Sequence, residues 1–578
     1  MPPPSRCEEQ RIMTHKRGGD VAVPGAVDGS GVSRRALVRG AAAAGGLWAL
    51  GGALAGCTGE GGSSSSGTGG SASADAGTAA QVIVAMNTES EPAAGFDPLV
   101  SWGCGEHVHE PLIQSTLITT DQDLNFVNDL ATDYACSDDG LVWTFAIRDD
   151  VVFSDGEALT AADVAFTVNG AIASTTFEAD LSMVDEAVAT GDYTVELHLN
   201  KPYNALLYTL AVLGIVPEHA YGKGYGEAPI GSGRYLLERW DRGQQAIFVA
   251  NPSYYGERPQ MERVVVVFMD EDAALAAVQA GEVDIAYTFA THAHQSFDGY
   301  DLVSYATVDS RGISLPVMAA GGIKEVDGVA YPQGNDVTCD IAVRRAINAA
   351  IDRDAMIEHV LNGYGKPAYS VSDGMPWSSP DMEVAYDPDG ARSLLEEAGW
   401  IAGEGGIRVK DGVRAKFDVW YSSDDSVRQA LTYELANQLA EVGIEVTPQG
   451  GSWDELYTHQ FEAPIMWGWG SNSPIEVYAL NYSSGWGNYA GYESAAIDGH
   501  LDDALAQPNV ADSYGHWQLA AWDGEDGFAP AGAATWAWIA NVDHLYFKRA
   551  GLDVAEQKPH PHGHGWSLVN NVDRWSWS

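Results

Sequence analysis

A chain of 578 residues is longer than one small domain needs, so two or three lobes with large cores are expected. Its 45% hydrophobic content suits a globular protein, and no run after residue 56 is long or apolar enough to span a bilayer. The net charge of -49 repels nucleic acid and anionic lipid headgroups at range, which argues against either as a partner.

The first segment with a readable pattern is a leader. Arg34 and Arg35 lie in Ser33-Arg34-Arg35-Ala36-Leu37-Val38-Arg39, followed by an uncharged stretch from Gly40 to Gly56 that closes on Leu54-Ala55-Gly56-Cys57. A basic stretch, a short apolar segment and small residues before a cleavage point make an export signal. Its 17 apolar and small residues are too few and too weakly apolar for a stable span. The arrangement resembles a twin-arginine signal ending in a lipobox. Residues 1–56 are then a signal peptide, and Cys57 is lipidated and tethers the mature protein to the outer face of the cell membrane. The mature chain carries 24 basic against 76 acidic residues, a solvated surface that keeps an exported protein soluble. Of the remaining thiols, Cys104, Cys136 and Cys339, an oxidising compartment allows one internal pair, and Cys104–Cys136 is the pairing expected.

Residues 57–80 are the lipidated Cys and a Gly/Ser-rich linker, a flexible tether with almost nothing to bury. The body starts at Gln81-Val82-Ile83-Val84-Ala85-Met86, a strand pattern, and Leu141–Ile147 reads as another. An Asp155-Gly156 turn follows, and Thr160 is placed to cap a helix that carries Val164 and Phe166. Val195–Leu199 alternates as a half-buried strand, while Val264–Phe268 reads as a fully buried one. Helical periodicity covers Ile341–His359, Asp389–Ala398 and Ser426–Val442. The mixture implies α/β or α+β with several lobes.

Several segments in order carry a family resemblance. The stretch from Trp143 to Val164, with Ser154-Asp155-Gly156 and Thr160-Ala161-Ala162-Asp163 at its centre, is similar to the signature of the family 5 extracytoplasmic solute-binding proteins. These are the peptide- and nickel-binding components of ABC importers. Glu110-Pro111-Leu112 resembles the family's early helix, and Pro229–Tyr235 its Gly-rich return strand, with Asn251–Tyr255 following. Gly281–Ile285, Val343–Asn348 with Ile351–Arg353, and Tyr386-Asp387-Pro388 with Ala398-Gly399-Trp400 complete the set.

The resemblance implies an α/β, two-lobed periplasmic-binding-protein-like fold of type II, with an additional small domain inserted in the first lobe. By analogy, lobe I combines 81–120, 230–310 and 541–578, the extra domain is 121–229, and lobe II is 311–540. Ligand then stabilises a closed form that a permease and its ATPase subunits recognise, and no bond is made or broken. No G-x-S-x-G, H-E-x-x-H or phosphate loop appears, in keeping with a non-enzyme.

In the family's peptide binders a carboxylate just after a Trp holds the peptide's α-ammonium. Here the matching stretch is Met466-Trp467-Gly468-Trp469-Gly470-Ser471-Asn472, with an amide where Asp is expected. Trp467, Trp469 and Asn472 are the ligand-binding candidates, with Trp377 from Gly374-Met375-Pro376-Trp377. Alternating histidines point instead to metal: His107 and His109 in an early loop, His292 and His294, and the terminal His560, His562 and His564, whose position suggests a surface or lobe-edge site. A short peptide is the leading ligand. A nickel or other transition-metal chelate is the alternative, with the metal as part of the ligand and no resident cofactor required. The rival from another class is an exported metallohydrolase built on the His clusters.

Overall fold

The computed structural model describes residues 80–578, apart from 101, 102, 105, 106, 175, 176, 178–180, 327 and 564 and the side chains of 103, 104, 107 and 108. The leader, Cys57, nearly all of the linker, the His107 side chain and His564 therefore lie outside the described residues.

The body opens on β1 (Gln81–Met86), buried at Val82, Val84, Ala85 and Met86. The chain then builds the insert from β2 (Ala131–Cys136), β3 (Val142–Ile147), α1 (Ala161–Ala173), β4 (Val184–Gly191) and β5 (Thr194–Leu199). Its sheet is antiparallel in the order β2-β3-β5-β4. Strict alternation makes one face apolar: Trp143, Phe145 and Ile147 on β3, Val195, Leu197 and Leu199 on β5. Helix α1 starts where the Asp163 carboxylate accepts from the Thr160 N–H at 2.9 Å and from its hydroxyl at 3.0 Å, half of a capping box. Cys136, on β2, is a free thiol, and the side chain of Cys104, its expected partner, lies outside the described residues.

The first lobe resumes with β6 (Tyr235–Asp241), β7 (Gln245–Ala250), β8 (Arg263–Phe268), α2 (Glu271–Ala280), β9 (Ile285–Thr288) and β10 (Tyr300–Tyr305). The second contains β11 (Ser310–Ser314), α3 (Ile341–Ala350), β12 (Gly365–Pro367), β13 (Lys416–Ser422), α4 (Ser426–Glu441), β14 (Glu445–Gly451), β15 (Met466–Trp469), α5 (Ile475–Asn481) and β16 (Trp536–Val542). One residue later β17 (His544–Arg549) is back in the first sheet. That seven-stranded sheet runs β6-β7-β8-β1-β9-β17-β10, with β1 parallel to β8 and β9. The second lobe holds an antiparallel sheet, β12-β16-β11-β15, and the parallel pair β13–β14. The chain thus crosses between lobes at 306–309 and again at Asp543.

Two local expectations differ. The helical span Ile341–His359 is two helices, because Ile351 is extended and Asp352 starts a new helix by accepting from the Ala355 N–H at 2.9 Å. Glu110-Pro111-Leu112 is non-helical. The adjoining Ile113 carbonyl packs directly on Gly231 and Gly233, where any Cβ would overlap it. Those glycines are therefore required by close backbone approach.

Candidate functional site

Strand β15 is buried at every residue, and its pairing with β11 sets Trp469 opposite Ser310 and Trp467 opposite Gly312. Beyond it, Gly470 lies so close to the Val308 carbonyl that a Cβ would overlap it. Only glycine lets the chain turn there, through Ser471–Pro474 into α5. That turn presents Trp469, Asn472 and Glu476 to a cavity of about 200 Å³ between the lobes. The facing wall comes from His109 of the first lobe, Tyr208 of the insert and the return segment carrying Lys558, His562 and Trp566. Apolar and aromatic surface with a few polar groups is the composition of a small-molecule site.

Asn472 is half-buried and donates its Nδ2 to the Pro559 carbonyl at 3.0 Å. Its Oδ1 is shielded from solvent and has no hydrogen-bond partner among the described residues, leaving an acceptor for a ligand. Trp469 lines the cavity beside the exposed Trp486, ring centroids 5.3 Å apart. Trp467 does not reach it. Its ring stacks on Tyr489 at 4.2 Å and its N–H donates to Ser314 Oγ at 3.1 Å, so the structure places it in the packed core. Trp377 is likewise buried, around a gap of only about 20 Å³ with Trp517, Trp536 and Trp538. It approaches the cavity only through Tyr208, at a ring separation of 6.1 Å.

Glu476 was not among the candidates. Burial pushes its carboxyl up to about 8, Asp309's charge adds to the rise, and the Gly470 N–H opposes it. At neutral pH it is in the acid form and can donate to a ligand. Its spacing, four residues after Asn472 and in the first turn of α5, was the available signal.

The histidines divide. His109 is 4% exposed on the cavity wall, its Nδ1 3.5 Å from Ser567 Oγ. Its Nε2 has no hydrogen-bond partner among the described residues. Burial, then the charges of His562 and His544, hold it down to about 3, so it is neutral. His560 and His562 are not at a surface or lobe edge. Both are buried where the chain crosses between lobes, with His562 Nδ1 2.6 Å from Asp309 and His560 Nδ1 3.2 Å from His544 Nδ1. Both ring nitrogens of His560 and Nδ1 of His562 are engaged in that network. Among the described residues no group of three or more His, Cys, Asp or Glu is arranged to hold a metal ion. His292 bonds Glu271 at 3.0 Å, away from the cavity.

A separate polar cavity of about 270 Å³ borders the insert, and four of its charged groups pair with one another, Lys558 with Glu110 and Arg234 with Asp573 at 2.6 Å.

Residues 125–490 match the sequence model of the bacterial extracellular solute-binding proteins, family 5 Middle. The chain belongs to this family. It is 33% identical over 498 residues to Protein XP55 of Streptomyces lividans, spanning 81% of this chain and 85% of that one. To the oligopeptide-binding protein AppA of Bacillus subtilis it is 29% identical over 428 residues, 68% of this chain and 75% of the relative. In three dimensions it is similar to NikZ from Campylobacter jejuni in complex with Ni(L-His), with a TM-score of 0.73 at 23% identity, covering 86% of this chain and 99% of that one. The fold is the two-lobed, mixed α/β type II arrangement of family 5, whose members are extracytoplasmic solute-binding proteins rather than enzymes.

Proposed function

We propose that this protein captures a short peptide in the cavity between its lobes and delivers it to the permease and ATPase subunits of an ABC importer, without catalysing a reaction. The observation that carries the reading is the cavity itself. Trp469, Trp486 and Tyr208 offer aromatic surface for side chains, while Asn472 Oδ1 and the Glu476 acid offer one acceptor and one donor for a peptide backbone. The oligopeptide-binding relative supports the same ligand class. Lobe I takes 81–120, 230–310 and 541–578, the insert 121–229 and lobe II 311–540. Cys57 carries the lipid anchor after twin-arginine export, holding the protein on the outer face of the cell membrane.

A second reading, a nickel or other metal chelate, is favoured by one observation: His109 Nε2 is buried on the cavity wall with an unused lone pair or proton. A metallohydrolase is disfavoured because His560 and His562 are committed to buried hydrogen bonds.

Native mass spectrometry of the purified protein, before and after chelator, tests these readings. An organic mass that survives chelation is expected for the peptide. A metal, or an organic mass lost together with one, moves the protein to the chelate reading, and His109→Ala then weakens retention. For the anchor, Cys57→Ala is expected to release the protein from the membrane fraction.

A further inference from the structure

Both crossings between the lobes, and the return segment behind them, meet at one buried cluster. Asp309 closes the first crossing, His544 opens the strand after the second, and His560 comes from the return segment. All three are fully buried. His544 Nε2 is 3.0 Å from Asp309 Oδ2, and His544 Nδ1 is 3.2 Å from His560 Nδ1.

The protons in this chain of contacts follow from donor-only and acceptor-only groups at its far end. The Trp575 indole only donates, and at 2.9 Å it identifies the oxygen of Asn571; the Asn571 amide nitrogen meets the Glu556 carbonyl at 2.8 Å. Gln557 must therefore present its NH2 to that oxygen, at 2.8 Å, and to the Ala555 carbonyl, at 2.9 Å. Its own Oε1 then faces His560 Nε2 at 3.1 Å, so that nitrogen carries a proton. The two facing Nδ1 atoms need one further proton between them, and it belongs on His544, the ring beside the Asp309 carboxylate, rather than on His560, which faces only an amide oxygen. On the opposite side the Asp309 carboxylate accepts from Arg311 and His562, and it needs an N–H from His544 Nε2 as well.

We infer that His544 carries both ring protons, a buried imidazolium that clamps the two inter-lobe crossings and the return segment into one joint. The surroundings fit: Arg311 and His562 hold Asp309 well below the usual carboxylate range, while burial first, and then the neighbouring histidines, holds His560 and His109 below theirs. Tyr287 and Tyr305 close the pocket, at ring separations of 5.8 Å from His544 and 5.7 Å from His560, while Lys558 acts on His560 through its field.

Histidine-selective 15N labelling of the whole protein, read by two-bond proton–nitrogen correlation, separates doubly protonated rings from neutral tautomers. At pH 7.5, apart from the exposed His219, which its bond to Asp155 holds above the usual histidine range, one ring is expected to be doubly protonated, and His544→Gln removes its signals. Absence of such a ring in the wild-type spectrum, or its survival in His544→Gln, overturns the inference; the wild-type spectrum decides even where the variant does not fold. Amide exchange at 306–309 and 543–545, corrected for intrinsic rate, is expected to rise about tenfold or more in His544→Gln relative to wild type, as losing one charged hydrogen bond implies. Unchanged exchange refutes the clamp.

Discussion

Replacing Trp467 by Ala separates packing from ligand contact at this site. The side chain is 2% exposed, stacks on Tyr489 at 8° between ring planes, lies 6.0 Å from the Trp453 ring and bonds Ser314. Removing a buried Trp costs about 4 kcal/mol, from lost transfer energy and the cavity left behind. For a body of roughly 500 residues, an unfolding entropy near 2.1 cal/mol/K per residue amounts to about 1 kcal/mol/K, so the melting temperature is expected to fall by about 4 °C. Trp486→Ala is the control. That ring is 53% exposed at the cavity mouth, its removal shifts the melting temperature by less than about 1 °C, and it lowers the fraction of protein purified with bound solute. Calorimetry reads the first quantity and native mass spectrometry the second. If Trp467→Ala melts like wild type yet loses its solute, Trp467 is a ligand contact and its assignment to the core is wrong.

Glu476 makes stability fall as pH rises. Its acid form persists in the folded protein to about 8, while the unfolded chain ionises near 4.5, so the folded state holds the extra proton between those values. The slope is up to about 1.4 kcal/mol per pH unit within that window, and Glu476→Gln is expected to remove it in denaturant titrations at pH 5 and pH 8. His109 has the opposite sign. Held down to about 3, it favours folding above the unfolded value of 6.5, and that stabilisation is lost as pH falls toward 3; His109→Gln is expected to flatten the acid limb of a melting-temperature profile. Asp163→Ala strands the Thr160 and Glu218 N–H donors, the second of which it accepts at 3.0 Å, and costs about 2–3 kcal/mol within the insert. Amide exchange is expected to rise in α1 and to stay unchanged in β1, and uniform exchange would contradict a local cap.

The sequence by itself determined the alternating strands of the insert, the Thr160–Asp163 cap, the buried Val264–Phe268 run and the family, because each depends on residues near one another or on motifs in fixed order. It located the Trp467–Asn472 stretch but not the division within it. Trp467 and Trp469 share one face of a strand, and period-two patterning treats them alike. Tyr489 covers the first, and the turn at Gly470 exposes the second to the cavity. The histidines show the same limit more sharply. Read as loop residues, His560 and His562 suggested a surface site, yet they bury against Asp309 and His544, with His562 separated from Asp309 by 253 positions. Only the tertiary structure decided this. The double crossing between lobes brings those distant segments together, and burial then dictates which of their nitrogens must carry protons.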